Sequence, residues 1–169
     1  MKWFFSLGFA LLFFSAFAQE DAIAKHFDSY IQDSRFKTVY VSPKMFDVIA
    51  TSDIEEMDPE VRSLIKNLRG LRVIQMEGQS GVTMYKEAGQ KLTAAKYDEL
   101  MTLKENGEQI RFYTLGPGKK VQELLLMVAG PKRFLMLTMV GDIDLNAVAK
   151  LSKSLNLQGA DYLDKVKSR

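Results

Sequence analysis

Apolar and polar positions alternate in several distinct rhythms along the chain. Ile23, Phe27, Tyr30 and Ile31 recur at helical spacing and predict a first amphipathic helix, while residues 37–42 alternate as a strand that Pro43 stops. Asp58-Pro59 supplies a helix cap with proline at the first helical position. Val61, Leu64, Ile65 and Leu68 then form one apolar stripe ending at Gly70. Residues 71–76 read as a second strand and residues 78–81 as a turn. Residues 84–104 read as a helical region that Gly89 and Thr93 divide in two, closed by Asn106-Gly107. Strands follow at 109–115, 121–129 and 133–140, joined at Gly116-Pro117-Gly118 and Gly130-Pro131 into an antiparallel meander. Asp144 caps a last helix carrying Leu145, Val148, Leu151 and Leu155. The pattern predicts an α+β fold: a mixed sheet of about five strands ending in an antiparallel three-strand meander, with amphipathic helices packed on it.

Residues 124–129 and 134–140 depart from alternation, being apolar on both faces. An antiparallel sheet with one face in water alternates apolar with polar, so the second face of this one must be covered. Helices on both sides would do it; so would a partner or a second copy.

The N-terminal 18 residues follow another rule. Lys2 is their only charge, an apolar run follows, and Ala16-Phe17-Ala18 precedes polar Gln19. This predicts a secretory signal peptide cleaved after Ala18. The apolar run is shorter than the roughly 20 residues that span a bilayer, so no transmembrane anchor is expected after cleavage. Residues 19–158 then form a single domain, and 159–169 a short basic C-terminal tail. The chain has 169 residues and no cysteine, which removes disulfides, thiol nucleophiles and a lipid-bearing cysteine. The expected location is therefore the periplasm or the extracellular space, without lipid anchoring. With 23 Lys and Arg against 21 Asp and Glu, the chain lacks the basic excess of a nucleic-acid binder.

Residues 97–107, the strand 110–113 after them, and above all residues 141–156, beginning Gly141-Asp142-Ile143-Asp144-Leu145, resemble the exported "domain of unknown function 4252" family of Bacteroidota. The likeness covers about residues 22–158. It implies a cell-envelope protein of small α+β fold, with no established activity and no catalytic residues to carry over. Many members look like lipoproteins; this chain lacks the cysteine for it.

The residues that could carry chemistry have structural explanations. His26, the only histidine, lies on the flank of the first helix's apolar stripe and has no companions for a triad or a metal site. Asp142, Asp144 and Asn146 mimic the start of a calcium loop, but Ala147 and Lys153 stand where it needs Gly and Glu, so helix capping explains them. The acidic residues from Asp53 to Glu60 suit a helix N-terminus. Gly116-Pro117-Gly118-Lys119-Lys120 lacks the phosphate-loop pattern and reads as a hairpin turn, whose lysines should lie near Asp142 and Asp144. Met136 and Met139, three apart in a strand, point to opposite faces and cannot chelate copper together.

One surface feature remains. Arg62, Lys66 and Arg69 recur at i, i+4 and i+7, opposite the apolar stripe of their helix, with Arg72 just beyond. Such a stripe could dock an acidic partner or an anionic envelope polymer. With no catalytic residue, metal site or cofactor loop in view, the expected function is a non-enzymatic binding or regulatory module of the cell envelope. A carboxylate-based hydrolase of an envelope glycan or lipid, and a homo-oligomeric or chaperone-like protein using the apolar sheet face, stand as alternatives.

Overall fold

The structure, a computed structural model, describes residues 21–52, 57–117 and 120–154. The expected signal segment and C-terminal tail, Asp53 to Glu56 of the acidic run, Gly118 and Lys119 of the expected hairpin turn, and Leu155 of the expected last helix lie outside the described residues. In chain order the elements are α1 (Ala22–His26), α2 (Asp28–Gln32), β1 (Lys37–Val41), α3 (Pro43–Thr51), α4 (Pro59–Asn67) and β2 (Leu68–Glu77). Then come α5 (Val82–Ala94), β3 (Asp98–Glu105), β4 (Glu108–Leu115), β5 (Val121–Gly130), β6 (Arg133–Ile143) and α6 (Leu145–Ser154).

The fold is α+β, with six strands where about five were expected. They form one sheet in the order β1-β2-β6-β5-β4-β3. All five pairings are antiparallel, so the sheet is not mixed. Helices intervene between β1 and β2 and again between β2 and β3. They return the chain antiparallel beside its neighbour in the first case and carry it to the opposite edge in the second.

The sixth strand is β3, where a second helix was expected. The two residues Asn106 and Gly107 link Glu105 to its register partner Glu108, with φ of 50° and 79°. Positive φ at both central positions is the turn that joins hairpin strands with matching twist. What reads as a helix stop is thus a hairpin signal. The helix before it ends earlier, at Ala94, and reverses through Lys96 at φ 64°. The helix α3 also departs from expectation: Pro43 ends the strand and occupies the first turn of α3, behind Ser42 at the cap. The first helix is broken at Phe27 into α1 and α2, yet Ile23, Phe27, Tyr30 and Ile31 still face one core.

Two cores flank the sheet. On the α5 face, Ile23, Phe27, Tyr85, Leu92, Tyr113, Leu125, Met127, Phe134 and Met136 pack together. On the α6 face, Phe46, Leu64, Leu68, Leu124, Met139, Ile143, Ala147 and Val148 do so. Helices therefore lie on both faces of the apolar meander, and Met136 and Met139 fall in opposite cores, as their spacing predicts. The α6 face is not uniformly sealed. Across the row Val39, Val73, Leu137, Leu126, Phe112 and Met101, only Phe112 is buried, and Val39 is 54% exposed.

Candidate functional site

The helix α5 lies on the sheet with Tyr85, Ala88 and Leu92 buried beneath it. Beside it, β4 sends Arg111 and Tyr113 to the same face and Phe112 to the other, by the two-residue alternation of a strand. Between helix and strand runs an open groove of about 920 Å³. It is lined by Val82, Thr83, Tyr85, Lys86, Gly89, Gln90, Thr93, Ala94, Gln109 and Arg111. Its lining carries two positive charges, two amides and two threonine hydroxyls, and no carboxylate.

Arg111 is the centre of this groove. Its guanidinium stands over the Tyr85 ring at 4.7 Å, and Nη1 donates to the Tyr113 hydroxyl at 3.1 Å. Glu99 Oε2 lies 3.7 Å from Nε, an ion-pair distance too long for a hydrogen bond. Three buried side-chain atoms among the described residues have no hydrogen-bond partner, and two of them, Arg111 Nε and the Tyr85 hydroxyl, are here. Burial pushes the Tyr85 hydroxyl above its usual range, so it stays protonated and able to donate.

Gly89 leaves room for the Arg111 guanidinium to approach the helix. A Cβ there would come within 2.9 Å of Arg111 Nη1 and 3.2 Å of the Tyr113 hydroxyl. In sequence Gly89 reads as a helix divider; it sits instead inside α5, accepting the roughly 1 kcal/mol helix cost of glycine where the arginine approaches.

The groove gives no motif in sequence. Its residues come from a helix and from a strand some twenty positions later, and only the sheet register brings them together. The alternation of Gln109, Arg111 and Tyr113 against Ile110 and Phe112 is the one signal that a polar shelf faces α5.

The basic stripe is divided by the fold. Arg62 and Lys66 line a cleft of about 490 Å³ between α3 and α4, with Asp47, Met57 and Ser63. Arg62 Nη1 donates to the carbonyls of Ala50 and Ser52 at 2.8 and 3.0 Å, closing the C-terminus of α3. Lys66 is exposed. Arg69 falls beyond α4, in β2, correcting the placement of all three on one helix. Arg72 pairs with Asp21 at 2.9 Å and stands over the Tyr40 ring at 4.6 Å.

Two buried carboxylates, Asp21 and Glu123, lie near each other on the α5 face. All four oxygens are engaged. Asp21 accepts from the Ala24 amide and from Arg72; Glu123 accepts from the Ala22 amide at 2.6 Å and the Tyr97 hydroxyl at 2.7 Å. This cluster fastens α1 to the sheet, and its oxygens are committed to that task.

The other candidates behave as capping groups or boundary residues. Asp58 Oδ1 accepts from the amides of Glu60 and Val61, which holds its carboxyl below the usual range. Asp144 caps α6 through the Asn146 amide and shares a depression with Asp142 and Lys120. His26 is half-buried, edge-on to Phe27 and Tyr97; burial first, then Lys25 and Lys91, lower its pKa. No helix among the described residues is long and apolar enough to cross a membrane.

Residues 30–151 match the family described as "Domain of unknown function (DUF4252)". No curated protein and no solved structure matches the chain.

Proposed function

Since the chain belongs to the DUF4252 family of unknown function, we propose from the geometry that it is an exported cell-envelope binding module, whose α5–β4 groove takes a small ligand carrying a carboxylate or phosphate. The observation behind this reading is the pair of buried donors without a hydrogen bond, Arg111 Nε, which has only the Glu99 ion pair, and the Tyr85 hydroxyl, beside a groove whose lining carries positive charge. An unsatisfied buried polar group costs roughly 1–3 kcal/mol, and an incoming anion that drew Glu99 aside would recover it. Guanidinium and carboxylate or phosphate make charge-assisted, often bidentate bonds. The volume is that of a small-molecule site. Export rests on the signal-like first 18 residues.

The test is an amide-shift titration of the purified chain with galacturonate, N-acetylglutamate and inorganic phosphate as separate probes. Saturable shifts should cluster at residues 82–94 and 109–113 for at least one probe and vanish in Arg111→Gln. Shifts that are absent for all three, or unchanged in that variant, would overturn the proposal.

A further inference from the structure

The two edges of the sheet are built differently. At one edge β3 carries Asp98, Glu99, Lys104 and Glu105 and a register irregularity between Glu99 and Met101, devices that keep an edge strand solitary. At the other edge β1 carries one charge, Lys37, at its first position. It has no proline and pairs with β2 in unbroken register. Residues 37–40 are exposed, Val39 and Tyr40 at 54% each. Among the described residues no strand lies beside the outer peptide groups of β1, which makes them a template for one.

The side chains of β1 say which strand fits. In an antiparallel pairing about a two-fold axis at Val39, that residue meets its own copy, Thr38 meets Tyr40, and Lys37 meets Val41. No like charges face each other, and β-branched and aromatic neighbours are the stabilising cross-strand pairs. The helix α3 begins two residues after β1, packs on β2, and leaves Met45 and Val48 exposed. Apolar surface thus flanks the strand at its own end of the sheet.

We propose that two copies of this chain associate through β1, joining their sheets into one of twelve strands by an isologous contact. The α5–β4 groove lies toward the opposite edge, so both grooves remain open and the dimer presents two. This inference does not depend on what the groove binds. Five-residue strands bury less than the roughly 800 Å² per partner of a standard interface, so association should be concentration-dependent.

The chain has no cysteine, which makes cross-linking unambiguous. Under mild oxidation Val39→Cys should form a covalent dimer, while Thr102→Cys, exposed on β3, should not. The circular dichroism of reduced Val39→Cys serves as the folding control. In sedimentation equilibrium the wild-type chain should approach twice the monomer mass as concentration rises, and Val39→Lys, with like charges on the axis, should stay monomeric. A wild-type chain that is monomeric throughout, cross-linking no greater for Val39→Cys than for Thr102→Cys, or a dimer untouched by Val39→Lys would each overturn the proposal.

Discussion

Glu123 concentrates the electrostatic cost of this fold in a single residue. It is 1% exposed, and burial above all, with the neighbouring Asp21 charge behind it, raises its pKa despite the two hydrogen bonds it accepts. The folded chain therefore holds a proton on Glu123 at a pH where the unfolded chain has released it. Acidification toward the ordinary carboxylate range should add stability through this group, and the gain should fade as pH rises through the raised value. Asp33 and Asp58 act in the opposite sense: hydrogen bonds lower their pKa values, so their contribution is lost only at more acid pH. Glu123→Gln keeps an acceptor for the Ala22 amide and abolishes the ionisation. Denaturant unfolding across pH should show the stability difference between this variant and wild type growing in favour of the variant as pH rises above about 4.3. A difference independent of pH would refute the assignment.

At the scale of elements, the β3–β4 hairpin depends on two backbone positions. Gly107 sits at φ 79° with open space around its missing Cβ, so only the backbone conformation penalises a side chain there. Gly107→Ala should cost about 1 kcal/mol in denaturant unfolding. A neutral result would mean that the turn relaxes to another type. This hairpin also shows where the amino-acid pattern ceases to determine structure. Leu100, Met101 and Leu103 suit either a helix or a strand, and the choice is made by the partner strand at residues 108–115. The meander, the start of α4 at Asp58 and the start of α6 at Asp144 were legible because each carries its own local signal, whereas the expected stop of α4 at Gly70 was wrong, since Leu68 and Gly70 pair with β6 as part of β2. The groove was illegible because Arg111 gains meaning only from Gly89 and Tyr85 on a separate helix. The basic stripe was legible as a pattern, but α4 stops at Asn67, before Arg69, and Arg62 turns back to α3.

Across the whole molecule, protection is graded from the centre of the sheet outward. The strands β5 and β6 pair on both sides and bury more than half of their residues, whereas β1 and β3 bury none and have one neighbour each among the described strands. Amide hydrogen exchange should accordingly be slowest in β5 and β6 and faster in β1 and β3. Uniform rates across the six strands would contradict this ordering.

The strand order has a temporal side. Of the six strands, β6 is the last synthesised, yet it occupies the middle of the sheet, between β2 and β5. Until it emerges, β1–β2 and β3–β4–β5 have no strand between them to join them into one sheet. Here the keystone is the last strand made, so the topology itself delays closure of the arch until the other five strands have been synthesised.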